Sequence, residues 1–570
     1  MLDTEKSSVY SSNNGLKQSS AVDSHTSSPN VGPEAERSTD FGDRNNTIQY
    51  LSGYKLVIVI ASVAISCFLM LLDTMIISTA IPRITDEFNS LLDVGWYASA
   101  YQFGSAAPQL LTGKMYTHFS NKWTFLVFFG IFELGSVLCG AAVSSTMLIV
   151  GRAVAGFGAA GIIIGAITIV SSCVPLNRRP ALLGITMGFN QLGLVAGPII
   201  GGAFTSYSDW RFYVNLPAGA VAALAIILLR IPEQTTKPSA LTILPRIHHY
   251  FDLVGFCLFA PAVLQLLLAL QYGGNQYAWD SSVVIGLLCG SVVTFVVWFF
   301  WNRYKGEDAL LPHSMVSQTA VWASGVYQGF LMAAVYGGIY FLPIYFQAIN
   351  GASPILSGVY LLPTILPQLV MAASSGAIIS KTGFVIPLAF FSSVFLAVAS
   401  GLYSLLQPGS PTGEWVGFQI IGGIGSGAGL QVAIISIQAV VRPEELSSAM
   451  AFLIFAQSLG PAIALTLYNV IFSTSLRSQL AQKAANLDPE AIIAAGATGF
   501  KAIVPQAELP AVLVAYANSI DKTFYLVAAM AAACGISCWG MGWNDIRVKK
   551  DHEPDDAMGE GKPGVDRTVT

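Results

Sequence analysis

Residues 184–202 read GITMGFNQLGLVAGPIIGG. Gly184, Gly188, Gly193, Gly197, Gly201 and Gly202 recur mostly four or five residues apart in an apolar stretch, with Pro198 directly after Gly197. A helix held in lipid has a use for so many missing side chains, because the bare face lets a second helix approach closely and the proline marks a bend. The stretch therefore predicts a membrane-spanning helix that packs tightly and flexes.

Composition carries this reading across the chain. Of 570 residues, 54% are hydrophobic and only 11% charged, and the mean hydropathy of +0.61 exceeds what a soluble domain needs. At about 20 apolar residues per bilayer crossing, the pattern predicts spans at 56–78, 95–113, 123–143, 147–170, 181–204, 214–230, 253–271, 282–302, 319–345, 355–379, 384–406, 416–439, 447–472 and 523–543, fourteen in all. Short cytoplasmic loops collect Lys and Arg. With the N-terminus inside, Lys114, Lys122, Arg178, Arg179, Arg230, Lys237, Arg246, Arg303, Lys305, Lys381 and Arg442 fall in inner loops, against Arg83 and Arg211 in short outer ones. That alternation supports the count and places both termini in the cytoplasm.

The polar tails, 1–52 and 545–570, read as disordered, and the net charge of −4 has no basic block that would suggest nucleic acid. The polar, acidic start MLDTEKSS shows no cleavable signal peptide, so the first span reads as an uncleaved anchor. The sequon at Asn45 should stay bare on an inner tail. The seven cysteines lie in or beside apolar spans without metal-ligand spacing and read as buried packing thiols. Gly156, Gly158 and Gly161 spell G-x-G-x-x-G, but inside a span and without the acidic residue that a dinucleotide site needs. GGIGSGAG at 422–429 likewise lacks the lysine and hydroxyl of a phosphate loop. We expect no cofactor, no metal and no enzyme chemistry. A many-spanned chain without a nucleotide domain reads as a secondary transporter.

Three charges lie well inside the spans: Asp73, Glu133 and Arg152. Each costs on the order of 2.5–3.5 kcal/mol at mid-helix and calls for a partner or a role. Asp73 lies about 26 Å along the first span from its inner end, and Arg152 about 8 Å below the outer face of the fourth, so their depths match. An ion pair between them would weaken when the carboxylate takes a proton, which gives a conformational switch. A static bridge, or Arg152 reaching to the interface, is the other reading. Glu133 reads either as a second proton carrier or cation contact, or as a protonated acid bonded to a neighbouring helix.

The segments LDTMIISTAIP at 72–82, LIVGRAVAGFGAAG at 148–161 and GFNQLGLVAGPIIGG at 188–202 resemble three signature motifs of the major facilitator superfamily, the last being the pattern of its drug:proton antiporters. WRFYVNLP at 210–217 is similar to the segment before the sixth span in the fourteen-helix branch. The resemblance implies an all-α membrane fold: a six-helix bundle at 53–230, a linker with two extra helices at 231–304, and a second six-helix bundle at 305–544. It also implies proton-coupling roles for Asp73 and Arg152, and a bending seam that limits leakage at Gly193, Gly197, Pro198, Gly201 and Gly202. At the inner gate the loop motif GKMYTHFSNKW, 113–123, keeps Gly113 and Lys122. It departs from the pattern with Thr117 at an acidic position, His118 at a basic one and Ser120 at a glycine, which puts the usual charge relay in question. Lys381 lies in a degenerate second copy, GAIISKTG.

Amides and aromatics in the spans, Gln102, Asn190, Gln191, Gln328, Phe330, Tyr336, Tyr340 and Gln347, suit a cavity for a bulky, partly apolar organic molecule. The long outer loop 473–522 reads as an amphipathic helix from Leu476 to Ala485, a GATGF turn and an apolar return, lying on the outer leaflet or over the cavity mouth. The resemblance is strongest to fungal members with such a loop, many of which export toxins or other secondary metabolites. The expectation is a monomeric, proton-driven exporter in the plasma membrane, with a vacuolar or vesicle membrane as the alternative. An importer of an organic solute or iron chelate, or a non-transporting receptor on the same scaffold, are the other readings.

Overall fold

The computed structural model describes residues 50–547, except 89–92, 208–214, 236, 239, 244, 246–249 and 275. The side chains of several helical residues, including 77–83, 194–195, 198–199 and 201–207, also lie outside the description. Every regular element among the described residues is helical: α1 Gly53–Phe88, α2 Val94–Ala106, α3 Gln109–His118, α4 Asn121–Gly140, α5 Ser145–Cys173, α6 Arg179–Tyr207, α7 Asn215–Leu228, α8 Leu253–Tyr272, α9 Ser282–Lys305, α10 Thr319–Ala348, α11 Leu362–Thr382, α12 Ile386–Tyr403, α13 Thr412–Gly429, α14 Val432–Val440, α15 Leu446–Lys483 and α16 Leu509–Ser537. Short helices fill the loops.

Each of the fourteen expected spans coincides with helix, but eleven helices among the described residues are long and apolar enough to cross a membrane, so the count of fourteen is not established. The sixth, α7, has only 14 residues. The second is broken into α2 and α3 at Ala107–Pro108, where the proline supplies no amide hydrogen and opens a new helix. The expected twelfth span is likewise two helices, α13 and α14.

Lipid offers no hydrophobic driving force between helices, so close backbone approach has to hold them together. The glycines sit where that approach occurs. In the nucleotide-like G-x-G-x-x-G, a side chain on Gly156 would strike the Tyr101 carbonyl on α2, and one on Gly158 or Gly161 would strike Phe132 or Phe128 on α4. The glycines of 422–429 likewise pack α13 onto α11 and α12. Five cysteines are buried as expected, but Cys257 and Cys289 are exposed on α8 and α9. These two helices pair with each other, and α9 presents Val292, Val293, Val296, Phe299 and Phe300 outward, an apolar belt suited to lipid.

The near end of the bundle, where α1 begins, is closed between the halves. α3 lies on α15, with Gly113 against Ser447, Ser448 and Ala451, and α6 lies on α11. Gln438 Nε2 donates to Ser171 Oγ at 2.9 Å. At the far end, the 473–522 loop departs from expectation. Leu476–Lys483 continues α15, and GATGF lies inside a helix, Gly496–Ile503. Leu480, Ile492, Phe500, Val512 and Tyr516 form a core of their own with Ala348 of α10. Phe500 stacks on Tyr516 at 4.6 Å between ring centroids.

Candidate transport site

Four helices converge on one ion pair. Arg152 of α5 reaches Asp73 of α1 at 2.5 Å, both 1% exposed. The guanidinium is further fixed by donating from Nε to the Tyr97 carbonyl at 3.1 Å and by lying over the Tyr101 ring at 4.5 Å, both on α2. Gly104 and Gly156 let α2 come close enough for this, since a side chain on either would collide with the other helix's backbone. Asn215, the first residue of α7, donates from Nδ2 to the second carboxylate oxygen of Asp73 at 3.2 Å. The reading of the sequence missed Asn215. The only signal was its position at the start of a span, at a depth comparable with Asp73.

Glu133 of α4 lies beside this centre. Both its carboxyl oxygens are buried without a hydrogen-bond partner among the described residues, and Oε1 rests where a side chain on Gly219 would stand. Gly219 is one turn along α7 from Asn215, so α7 carries both neighbours on one face. Among the described residues no neighbouring helix bonds Glu133, the contact that its second reading calls for. Asn190 Oδ1 and Arg152 Nη2 are also buried without a partner among the described residues. Such atoms carry a desolvation cost and mark where water or a transported polar group gains most by bonding.

The seam separates into two contacts. Gly184 and Gly188 face the other half, where a side chain would meet the Ala372 carbonyl at 2.5 Å and Leu369 Cδ1 at 2.6 Å. Gly193 and Gly197 face α1, against Leu72 and Met75, directly beside Asp73. Pro198, Gly201 and Gly202 lie within α6, but their side-chain positions fall outside the described residues, as does WRFYV of the motif before α7.

The cavity candidates do not form one group. Asn190 and Gln328 are buried, with Gln328 Nε2 donating to Gln457 at 3.0 Å. Gln191, Phe330 and Tyr336 are half-buried, and Gln102 and Tyr340 are exposed. Gln347 belongs to the far end, where its amide donates to Ser357 Oγ at 2.9 Å and its carbonyl accepts from Lys501. At the near end Gly113 lies in the contact between the halves. Lys122 instead binds Ile227 O in the last turn of α7 at 2.6 Å and Leu229 O just beyond that helix at 2.8 Å, and Lys381 is exposed.

A helical membrane bundle in two packed halves, with a buried charge pair in its first half, defines a membrane transporter. The family model described as Major Facilitator Superfamily matches residues 63–465, and the chain belongs to that superfamily. It is 50% identical over 539 residues to the MFS-type transporter pigP of Monascus ruber, covering 92% of this chain and 95% of that one. It is 46% identical to the efflux pump mlcE of Penicillium citrinum, covering 88% and 93%. Among solved structures, the proton:xylose symporter XylE superposes with a TM-score of 0.54 at 12% identity, covering 86% of this chain and 98% of that one. That likeness shows the fold alone.

Proposed function

We propose that this protein exports a small amphipathic organic compound, of the toxin or secondary-metabolite kind, in exchange for protons. The observation that carries the reading is the Asp73–Arg152 pair, buried inside one half and braced by α2 and α7. Protonating Asp73 cancels its attraction for Arg152 and frees α1 to move against α5, while Gly193 and Gly197 let α6 follow α1. Glu133 is a second proton site within reach of the same α7 face. The efflux pumps among the relatives support the direction, and the aromatic and amide side chains of α6 and α10 suit an apolar cargo with scattered hydrogen-bonding groups. The plasma membrane, cytoplasmic termini, a monomeric state and the division at 53–230, 231–304 and 305–544 complete the proposal. Everted vesicles with an acidic interior, screened with a panel of amphipathic organic compounds, should accumulate one of them and lose that uptake on adding a protonophore. Uptake unchanged by the protonophore would refute antiport.

A further inference from the structure

Each half joins its second and third helices by a short loop at the near end, after α3 in the first half and after α11 in the second. In the first half the loop is gripped by an acid and a base from the segment that follows the sixth helix, and in the second by a base and a backbone amide from the corresponding segment.

In the first half the gripping residues are Glu233, Gln234 and Lys237. Lys237 Nζ donates to Tyr116 O at 2.7 Å, Phe119 O at 2.9 Å and Asn121 Oδ1 at 2.7 Å, and pairs with Glu233 at 3.1 Å. Glu233 Oε1 accepts from the Asn121 amide at 2.7 Å, the first N–H of α4, which the side chain of Ser120 leaves uncapped. A cation therefore sits on the carbonyl end of α3 and an anion on the amide end of α4, the favourable sign at both. Gln234 extends the grip, donating to Ser171 O at 2.9 Å and accepting from Arg179 at 3.3 Å. In the second half, Arg547 donates to Lys381 O at 2.9 Å and pairs with Asp545 at 2.6 Å, while the Ile546 amide donates to Gly383 O at 3.1 Å. Gly383 has φ +84°, and a side chain there would strike Asp545.

The first loop needs this help. It has Thr117 where its family pattern has an acid, and His118 is packed against Tyr250 and Phe251. Burial and the neighbouring Lys114 and Lys237 push the His118 imidazole down to about 4, so it carries no charge near neutrality. Across from the gripped loop lies the second half: Thr117 faces Ser448 at 3.4 Å, and Glu233's neighbour Gln234 and Lys237 line a small polar cavity with Glu444 and Ser447.

We propose that Glu233 and Lys237 are a latch that supplies the charges missing from the α3–α4 loop and holds the near end of the first half in the shape that closes against the second. In the other half Arg547, paired with Asp545, holds the carbonyl end of the corresponding helix. The inference concerns closure, not cargo, and stands whichever compound is moved.

The test is cross-linking of Ser171→Cys with Gln438→Cys, after replacing the seven native cysteines, by a short bifunctional thiosulfonate in membranes without substrate. Glu233→Gln and Lys237→Met should each slow cross-linking about ten-fold, the weight of one charge-assisted hydrogen bond. Lys237→Arg should stay close to the parent. Thr117→Asp with His118→Arg, added to Lys237→Met, should recover most of the rate. If Lys237→Met fails to accumulate, Glu233→Gln carries the test alone. Parental rates in Glu233→Gln, or no recovery when charge is restored to the loop, would overturn the latch.

Discussion

Asn215 holds one oxygen of Asp73 while Arg152 holds the other, so the carboxylate is fixed from two helices that do not otherwise share a polar contact among the described residues. The amide thereby adds to the hold on the carboxylate that ties α1 to α5. Asn215→Ala should leave the protein folded and lower proton-driven transport about ten-fold, the weight of a hydrogen bond to a charged group. The pH at which transport is half-maximal should move as well. Transport with an unchanged pH profile would remove Asn215 from the site.

Glu133 and Gly219 make a second, linked prediction. Glu133→Gln removes a buried carboxyl whose oxygens have no partner, so thermal stability in detergent should hold or rise. Glu133→Gln should also shift the pH dependence of transport, and Gly219→Val, which would displace the Glu133 carboxyl, should shift it in the same way. If the two variants behave differently, Glu133 acts elsewhere than at the α7 face.

A methyl group at Gly197 would collide with Met75, whereas one at Gly130 meets nothing within 4 Å. Gly197→Ala should therefore cost about 1–3 kcal/mol of packing and impair efflux. Gly130→Ala should be neutral or stabilise by roughly 0.5–1 kcal/mol through helix propensity. Melting temperatures and efflux at matched expression separate the two. Equal tolerance would mean that α6 and α1 are loosely packed.

His118 sets an acid limit on the near end. Its imidazole is held at about 4 against an ordinary 6.5, so below pH 6.5 the unfolded chain takes up a proton that the folded chain refuses. Stability is full above about 6.5 and falls as pH drops towards 4, by roughly 1–2 kcal/mol once solvent screening is allowed for. Thermal melts from pH 7 to 4 should show a steeper decline for the parent than for His118→Asn. Parallel curves would contradict this.

The sequence made the helices, the two halves and the Asp73–Arg152 pairing legible, because charges are rare in lipid and the helical rise converts residue number into depth. It did not show what lies sideways of that pair. Asn215 was one amide among many, and only the crossing of α7 over α1 singles it out. Gln347 looked like its cavity-facing neighbours but is drawn away by Ser357 and Lys501. GATGF reads locally as a turn, yet Phe500 stacked on Tyr516 holds it in a helix. The substitutions in the α3–α4 loop looked like a lost charge relay, while charges from over a hundred residues away occupy the same place.

The most direct test of the account follows proton and substrate movement together in everted vesicles carrying Asp73→Asn. The account predicts that the variant still exchanges substrate across the membrane without a gradient, but neither accumulates it when the interior is acidic nor moves protons when substrate is added. Accumulation and proton movement at parental levels would show that the Asp73–Arg152 pair is a structural bridge and that coupling resides elsewhere.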